Sequence, residues 1–322
     1  MKLSHEDEHE VTKMIEWFKS EFEDKEIGLV KVSRGKKHKF LGMDFDFSDK
    51  HKVKISMRSY IEDMINVFPE EIYKTAATPA AAYFFKVRNI EKLDEEKASI
   101  YHTITAKGLF LCKRARPDIQ TANAFLTTRV KEPDLDDWKK LKRLIQYLKG
   151  TVDLVLTLTS DKLNIIKWYI DASHQVHDDL KSHTGATMTL GKGSVYSSST
   201  KQKINTDSST LSELVAVHDK TPMILWTNNF LKEQGFETQD TIIYQDNKSA
   251  ILLEKNGRFS AGKRNRYIEA RYFFIKDHQD RKALSVAYCP TDDMIADFFT
   301  KPLQGSKFYK FRKMIMNLEK EK

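Results

Sequence analysis

Apolar and polar positions in the first half of the chain follow first a helical and then a strand-like period. Apolar residues at helical spacing over 11–22 predict an amphipathic helix. Strand-like segments of a small antiparallel sheet follow, at 27–33, 38–47 and 51–56. Helical patterns then predict helices over 58–68, 94–114, 117–128 and 136–149. The segment 78–87 has no clear period, so we expect a loop across the surface of this mixed, largely helical region.

From residue 152 the pattern changes to short apolar strands separated by polar or glycine turns. Strand-like segments lie at 153–158, 164–171, 184–190 and 193–199. A helix over 211–218 follows, and the remaining elements alternate: strand 241–244, helix 247–255, helix 265–278, strand 283–289 and helix 293–300. An early three-stranded meander followed by alternating helices and strands predicts an α/β fold, with a mixed sheet and helices on its faces.

Length and composition narrow the class of protein. The 322 residues suffice for two domains, and the net charge of +8 equals the excess of 16 Lys and Arg over 8 Asp and Glu between Lys255 and Lys322. Such a basic segment suits a polyanion, because neutralised phosphates release counterions. The two cysteines, Cys112 and Cys289, are too few for a disulfide framework or a paired zinc site. With no membrane span or signal peptide in view, we expect a soluble intracellular protein.

Two carboxylates lie at the ends of apolar strands. Asp171 ends the segment NIIKWYID, and Asp246 ends TIIYQD. They can lie side by side only if their strands are neighbours, and like charges that close require a cation between them. Mg²⁺ prefers carboxylate and water oxygens, so the pair indicates a magnesium-dependent phosphodiester site.

Two further acids lie within apolar helical stretches. Glu213 is flanked by Leu211 and Leu214, and Asp297 lies in MIADFF. For any one of these acids, a solvated or salt-bridged helix position is the commoner interpretation. Four acids in this order are harder to explain in that way.

The motifs around the acids resemble the RNase H domain of copia-type LTR retrotransposon polyproteins. The matching stretches are YIDASH, SSTKQKINTDSSTLSELVAV, YQDNKSAI and MIADFFTKPL. Upstream, RARPDIQTANAFL, LKRLIQYLKGT and FLGMDFDF resemble the end of the reverse transcriptase of the same polyproteins. The resemblance covers nearly the whole chain.

The resemblance implies a fold and an activity. Residues 1–150 would form the palm end and the thumb or connection region of a reverse transcriptase, 151–305 an RNase H-like domain with a five-stranded mixed sheet, and 306–322 a basic tail. Asp171, Glu213, Asp246 and Asp297 would bind two Mg²⁺ ions, with Mn²⁺ as a substitute, and hydrolyse the RNA strand of an RNA–DNA hybrid. The polymerase acids of the family would lie upstream of Met1, so we expect no DNA synthesis from this fragment.

Further residues are candidates for nucleic-acid binding. They comprise the turn Lys201, Gln202 and Lys203, together with Asn247 and the basic residues Lys263, Arg264, Arg266 and Arg271. The family usually has a histidine where this chain has Tyr267. His174, His177 and His183 are poor metal candidates, because no paired cysteines accompany them and a carboxylate site lies nearby.

Two other functions stay open. The chain could be a catalytically silent remnant that binds nucleic acid through its basic surface, or an integrase-like nuclease that cuts duplex or branched DNA. The partners that we expect are an RNA–DNA hybrid and the upstream polymerase part of the polyprotein, with no membrane. The resemblance also implies a cytoplasmic retroelement particle with access to the nucleus.

Overall fold

Two β-sheets organise the chain, and helices cover them. The computed structural model describes residues 3, 5–24, 26, 28–88, 90–161, 164–256 and 274–319. Within these ranges, none of the helices combines the length and the apolar character needed to traverse a bilayer. The first region is mixed α and β, and the second is a five-stranded mixed sheet flanked by helices. The predicted α/β fold class is thereby confirmed.

The N-terminal elements match the sequence predictions only in part. Helix α1 (Glu8–Phe22) is confirmed and is capped by Asp7, whose side chain accepts the His9 N–H. The strand predicted at 27–33 is wrong for its described residues, 28–33, which form no strand and in which Leu29 is 80% exposed. The segment 38–47 is not one strand but a hairpin, because Leu41 and Gly42 adopt positive φ angles of 50° and 75° between its two arms.

A small sheet carries that hairpin. Its strands run in the order β1 (Lys37–Phe40), β2 (Met43–Asp46), β3 (Lys52–Ser56), β4 (Leu156–Ser160) and β7 (Gly191–Lys192). Each neighbouring pair is antiparallel. The strand predicted at 153–158 therefore joins the first sheet, because β4 pairs with β3 about 100 positions earlier.

Four helices build most of the first core, as predicted. They are α2 (Arg58–Val67), α3 (Glu95–Arg114), α4 (Gln120–Thr128) and α5 (Leu135–Gly150). Asp94 and Asp134 cap α3 and α5 with their side chains. The segment 78–87 is a loop, but its predicted surface position is wrong. Phe84 and Phe85 are buried because both rings pack against Phe125, at centroid distances of 5.2 and 5.6 Å.

The second sheet has β5 (Ile165–Ser173) at its centre. The strand order is β10 (Ser285–Tyr288), β9 (Asp240–Gln245), β5, β6 (His183–Thr189) and β8 (Tyr196–Lys201). The strands β5, β6 and β8 form the predicted antiparallel meander, whereas β9 is parallel to β5 and β10 is parallel to β9. Helices α6 (Ser209–Glu233) and α7 (Lys248–Asn256) connect these strands.

The C-terminal segment returns to the first core. Helical residues 274–280 (α8) precede β10, and α9 (Asp297–Thr300) and α10 (Gly305–Met316) follow it. Phe308, Phe311 and Ile315 of α10 are buried in the same cluster as the helices of the first region. The segment predicted as a basic tail thus contains a packed helix, while the division into domains stays a prediction.

Candidate active site

The parallel pairing of β5 with β9 brings two of the predicted acids together. The register matches Tyr169 with Tyr244, and two further steps along both strands place Asp171 beside Asp246. Asp171 is 2% exposed and Asp246 is half-buried. Thr291 donates its hydroxyl to Asp246 Oδ2 at 2.8 Å. The neighbouring strands that this acid pair required are therefore present.

Helix α6 adds a third carboxylate from the face of the sheet. Ser208 caps the helix by accepting the Leu211 N–H, and the first turns carry Glu213, which is 4% exposed. Glu213 Oε1 accepts the Ala172 N–H at 3.1 Å, so the carboxylate is fixed next to Asp171. Its other oxygen, Oε2, is buried and has no hydrogen-bond partner among the described residues.

These three acids form a group with the spacing of a cation site. One carboxylate oxygen from each of Asp171, Glu213 and Asp246 lies within 4.8 Å of the others. Burial raises the pKa of Glu213 well above its usual value, and the charge of Asp171 raises it further. Burial also raises the pKa of Asp171 to about 6. A divalent ion relieves this repulsion between neighbouring carboxylates, because it stabilises their charged forms. The buried Glu213 Oε2, which has no hydrogen-bond donor among the described residues, fits a metal ligand.

The fourth predicted acid contacts Asp171 but has different partners. Asp297 begins α9 and is fully buried. Its Oδ1 pairs with Lys301 Nζ at 2.5 Å, and its Oδ2 pairs with Lys307 Nζ at 2.6 Å. Burial would raise the pKa of Asp297, but the two ammonium groups outweigh burial and hold it below its usual value. Lys301 Nζ also lies 3.7 Å from Asp171 Oδ2.

Close packing of α9 on the sheet makes these contacts possible. Gly185 of β6 is directly opposite Asp171 in the strand register. A Cβ at Gly185 would lie 2.6 Å from Thr300 Cγ2 and 2.8 Å from the Ala296 carbonyl oxygen. Because that space is empty, Thr300 Oγ1 reaches Asp171 Oδ2 and donates a hydrogen bond at 2.5 Å.

A buried network of hydroxyls supports the start of α6. Ser212 Oγ lies 2.7 Å from Thr206 Oγ1, 3.0 Å from Ser182 Oγ and 2.9 Å from His174 Nδ1. Gln202 is 3% exposed, and its amide donates to the Ser212 carbonyl at 2.9 Å. These contacts hold the turn that carries Glu213.

The predicted nucleic-acid contacts lie in several environments. Lys203 is exposed, Lys201 pairs with Asp179 at 2.8 Å, and Asn247 caps α7 by accepting the Ala250 N–H. The Gln202 side chain faces the interior, as described above. Four basic candidates and the residue at the family's histidine position lie outside the described residues: Lys263, Arg264, Arg266, Arg271 and Tyr267. The nucleic-acid roles of the whole set stay predictions.

The three histidines are engaged away from the acid group. His177 Nε2 and His183 Nδ1 are 2.9 Å apart, and His183 Nε2 lies 2.6 Å from Ser199 Oγ. The acid group itself contains none of the three histidines.

Sequence reasoning missed four residues whose side chains contact the acids: Thr291, Thr300, Lys301 and Lys307. Thr300 and Lys301 were part of the ADFFTKPL motif, but only Asp297 was singled out in it. The spacing of Asp297 and Lys301, four positions apart on a helix, is a readable ion-pair signal. Lys307 had no local signal, because it lies ten positions after Asp297 and reaches it only through the turn between α9 and α10.

Several known proteins with similar sequences are retrotransposon polyproteins. No protein-family model matches the chain. It is 29% identical over 264 residues to the retrovirus-related Pol polyprotein from transposon TNT 1-94 of Nicotiana tabacum, which covers 80% of this chain and 20% of that protein. It is 33% identical over 202 residues to the Pol polyprotein from transposon RE2 of Arabidopsis thaliana. This match covers 62% of this chain and 14% of that protein. It is 23% identical over 310 residues to the Ty1-NL2 Gag-Pol polyprotein of Saccharomyces cerevisiae, and this match covers 92% of this chain and 18% of that protein.

Solved structures show weaker likeness. LC11-RNase H1 in complex with an RNA/DNA hybrid has a TM-score of 0.31 and 14% identity, covering 42% of this chain and 92% of that one. The foamy viral protease-reverse transcriptase in complex with dsDNA has a TM-score of 0.46 and 11% identity, and the match covers 82% of this chain and 46% of that one. The chain spans 20% or less of the three curated proteins named above. The chain is therefore similar in sequence to part of the Pol polyproteins of copia- and Ty1-type retrotransposons.

Proposed function

We propose that the second sheet and its helices form an RNase H that hydrolyses the RNA strand of an RNA–DNA hybrid. The observation that carries the proposal is the group formed by Asp171, Glu213 and Asp246, whose ligand oxygens lie within 4.8 Å of one another. The unpartnered Glu213 Oε2 adds independent support, because it is a buried anion with a free coordination position. The similarity to retrotransposon Pol polyproteins supplies the nucleic-acid context.

The residues present fit one divalent cation at this group. Asp171, Glu213 and Asp246 would hold it, since hard cations such as Mg²⁺ and Mn²⁺ bind carboxylate oxygens. When bound, the ion supplies a Lewis acid that makes a water molecule more nucleophilic and polarises a phosphate. A second ion with Asp297 as ligand, as the resemblance implies, stays a prediction; both oxygens of Asp297 pair with lysines here.

The chain's own side chains orient the reacting groups. The Ala172 N–H fixes one oxygen of Glu213 and leaves the other oxygen buried without a hydrogen-bond partner among the described residues. Thr300 fixes Asp171 Oδ2 and Thr291 fixes Asp246 Oδ2, each through its hydroxyl. These hydrogen bonds limit rotation of the carboxylates, which is how an active site keeps reacting atoms in position.

Substrate selection would depend on contacts outside the acid group. The chain has a net charge of +8, which favours binding to a phosphate backbone. Recognition of a hybrid requires contacts to the 2′-hydroxyls of the RNA strand. We therefore propose the hybrid as substrate and the remainder of a polyprotein as partner, with a cytoplasmic location as in retroelement particles.

The test is cleavage of a hybrid with a labelled RNA strand in the presence of Mg²⁺. Asp171→Asn and Asp246→Asn should each lower the rate by about 10²-fold or more, since each removes charge aimed at the reacting centre. The matched control is Asp292→Asn, an exposed acid outside the group, which should cleave at the wild-type rate. Equal rates for all four proteins would refute this assignment of the site.

Other substrates distinguish the alternative functions. Hybrid binding with a steep salt dependence, without cleavage in Mg²⁺ or Mn²⁺, would indicate a silent remnant. Preferential cleavage of duplex or branched DNA would indicate an integrase-like nuclease. Either result would contradict the proposed RNase H activity.

A further inference from the structure

Asp171 lies between two different charge environments. On one side are Glu213 and Asp246, whose carboxylates approach Asp171 and form no ion pair with a described residue, although the charge of Lys301 also acts on Asp246. On the other side is Asp297, which contacts Asp171 and is accompanied by the ammonium groups of Lys301 and Lys307. The four acids therefore form one cluster. Lysine ammonium groups pair with Asp297 and with Asp171, whereas Glu213 and Asp246 have no ion-pair partner among the described residues.

Lys301 occupies the position between Asp171 and Asp297. Its Nζ is 2.5 Å from Asp297 Oδ1 and 3.7 Å from Asp171 Oδ2, so one ammonium bridges two buried carboxylates. The position of Lys301 is restricted, because its backbone N–H closes the last turn of α9 on the Asp297 carbonyl at 3.1 Å. Lys307 binds the other oxygen of Asp297 from α10.

These ion pairs compete directly with a metal ion at the same place. Mg²⁺ in proteins keeps oxygen ligands at about 2.0–2.1 Å and gives up its water reluctantly. To use Asp297 and Asp171 as ligands, an ion would have to displace the Lys301 ammonium from both acids. The carboxylates would gain little from the exchange, because the Lys301 and Lys307 ammonium groups already neutralise them, whereas the ion would have to give up bound water.

We propose that the site takes one divalent cation, held by Asp171, Glu213 and Asp246, and that Lys301 supplies the second positive charge between Asp171 and Asp297. The inference rests on the proposed metal site but departs from a site with two ions. In this arrangement Lys301 is a positioning residue. Its ammonium neutralises Asp297 and Asp171 Oδ2, and it excludes a second ion.

The experiment counts bound ions without any nucleic acid. Equilibrium dialysis of the purified full chain against Mn²⁺, followed by electron paramagnetic resonance of the free ion, gives the stoichiometry. The wild-type protein should bind one Mn²⁺ when free Mn²⁺ is raised to ten times the first dissociation constant. Lys301→Met should bind a second Mn²⁺, with an affinity at least tenfold higher than any second site of the wild type.

Matched variants separate charge from structural damage. Lys301→Arg keeps the charge and should bind one ion, and so should Lys310→Met, whose ammonium pairs with Asp293 away from the cluster. If Lys301→Met unfolds, Lys301→Met with Asp297→Asn removes the buried carboxylate charge that Lys307 alone would then balance, and it should fold and bind one ion. A thermal melt confirms the folding of each variant.

The results distinguish this inference from the proposed function. Two ions on the wild type, or one ion on a folded Lys301→Met, would overturn the role of Lys301 and leave the nuclease proposal standing. Failure of the wild type to bind Mn²⁺, or equally tight binding by the wild type and Asp246→Asn, would overturn the metal site itself. One ion on the wild type and two on Lys301→Met would support the inference.

Discussion

The substitution Gly185→Ala tests whether the approach of α9 to the sheet determines the geometry of the acid cluster. The new Cβ would lie 2.6 Å from Thr300 Cγ2 and 2.8 Å from the Ala296 carbonyl oxygen. Ordinary contact begins at 3.4 Å, so α9 must move by about 0.8 Å (3.4 minus 2.6). Such a shift pulls Thr300 and Asp297 away from Asp171.

The magnitude follows from two opposing effects. Overpacking of a tight contact typically costs about 1–3 kcal/mol. Alanine offsets about 0.5–1 kcal/mol of this cost by restricting the unfolded chain, because Gly185 does not have a positive φ and alanine can adopt its backbone conformation. We therefore expect the free energy of unfolding to fall by about 1–2 kcal/mol. A displacement near 1 Å should also lower hybrid cleavage on the order of 10²-fold.

Urea unfolding and hybrid cleavage measure the two effects separately. Thr300→Ser removes the nearest clashing atom and keeps the hydroxyl that binds Asp171, so it should restore part of the stability lost by Gly185→Ala. The two substitutions should therefore be non-additive by about 0.5–1 kcal/mol. The reasoning is refuted if the free energy of unfolding of Gly185→Ala lies within about 0.5 kcal/mol of the wild-type value. It is also refuted if adding Thr300→Ser does not change the stability of Gly185→Ala.

Three further predictions concern stability. Phe311→Ala should lower the free energy of unfolding in urea by about 3–5 kcal/mol, because the ring is fully buried; exposed Met314→Ala is its control, and equal losses would contradict the packing of α10. Burial lowers the pKa of His177 to about 4, so between pH 6.5 and 4 the unfolded chain binds more protons and stability falls as pH falls. Burial also lowers the pKa of His183, so His177→Gln should reduce, but not abolish, the fall of the melting temperature over that window; an unchanged profile would exclude this histidine. Arg116→Met should cost about 3–5 kcal/mol by leaving Asp118 buried without its ion pair, whereas adding Asp118→Asn should restore much of the loss; a loss that stays the same in the double variant would count against the pair.

Local sequence patterns predicted most elements of the second sheet. The apolar runs of β5 and β9 have the length and composition of buried strands, and the helices between strands carry helical periodicity. Alternation of helices and strands then allowed few topologies. Because these signals are local, they need no knowledge of the neighbours.

The same patterns were insufficient where packing overrides local preference. The turn at Leu41 and Gly42 has no Asn-Gly or Asp-Gly signal, so the hairpin was taken for one strand. Phe84 and Phe85 lie in an aperiodic loop, and tertiary contacts bury them, with Phe125 against both rings and His177 and His183 against Phe85. The spacing of Phe308, Phe311 and Ile315 is helical, yet the basic composition of the segment concealed α10.

For the candidate site, the sequence by itself singled out the four acids as candidates, because motif resemblance needs only the order of residues. Only the tertiary structure decided their relations. The β5–β9 register places Asp246 beside Asp171, and the absence of a side chain at Gly185 admits α9. The meeting of Lys301 and Lys307 with Asp297 depends on how α9 and α10 pack, and that packing is set by contacts between segments far apart in the chain.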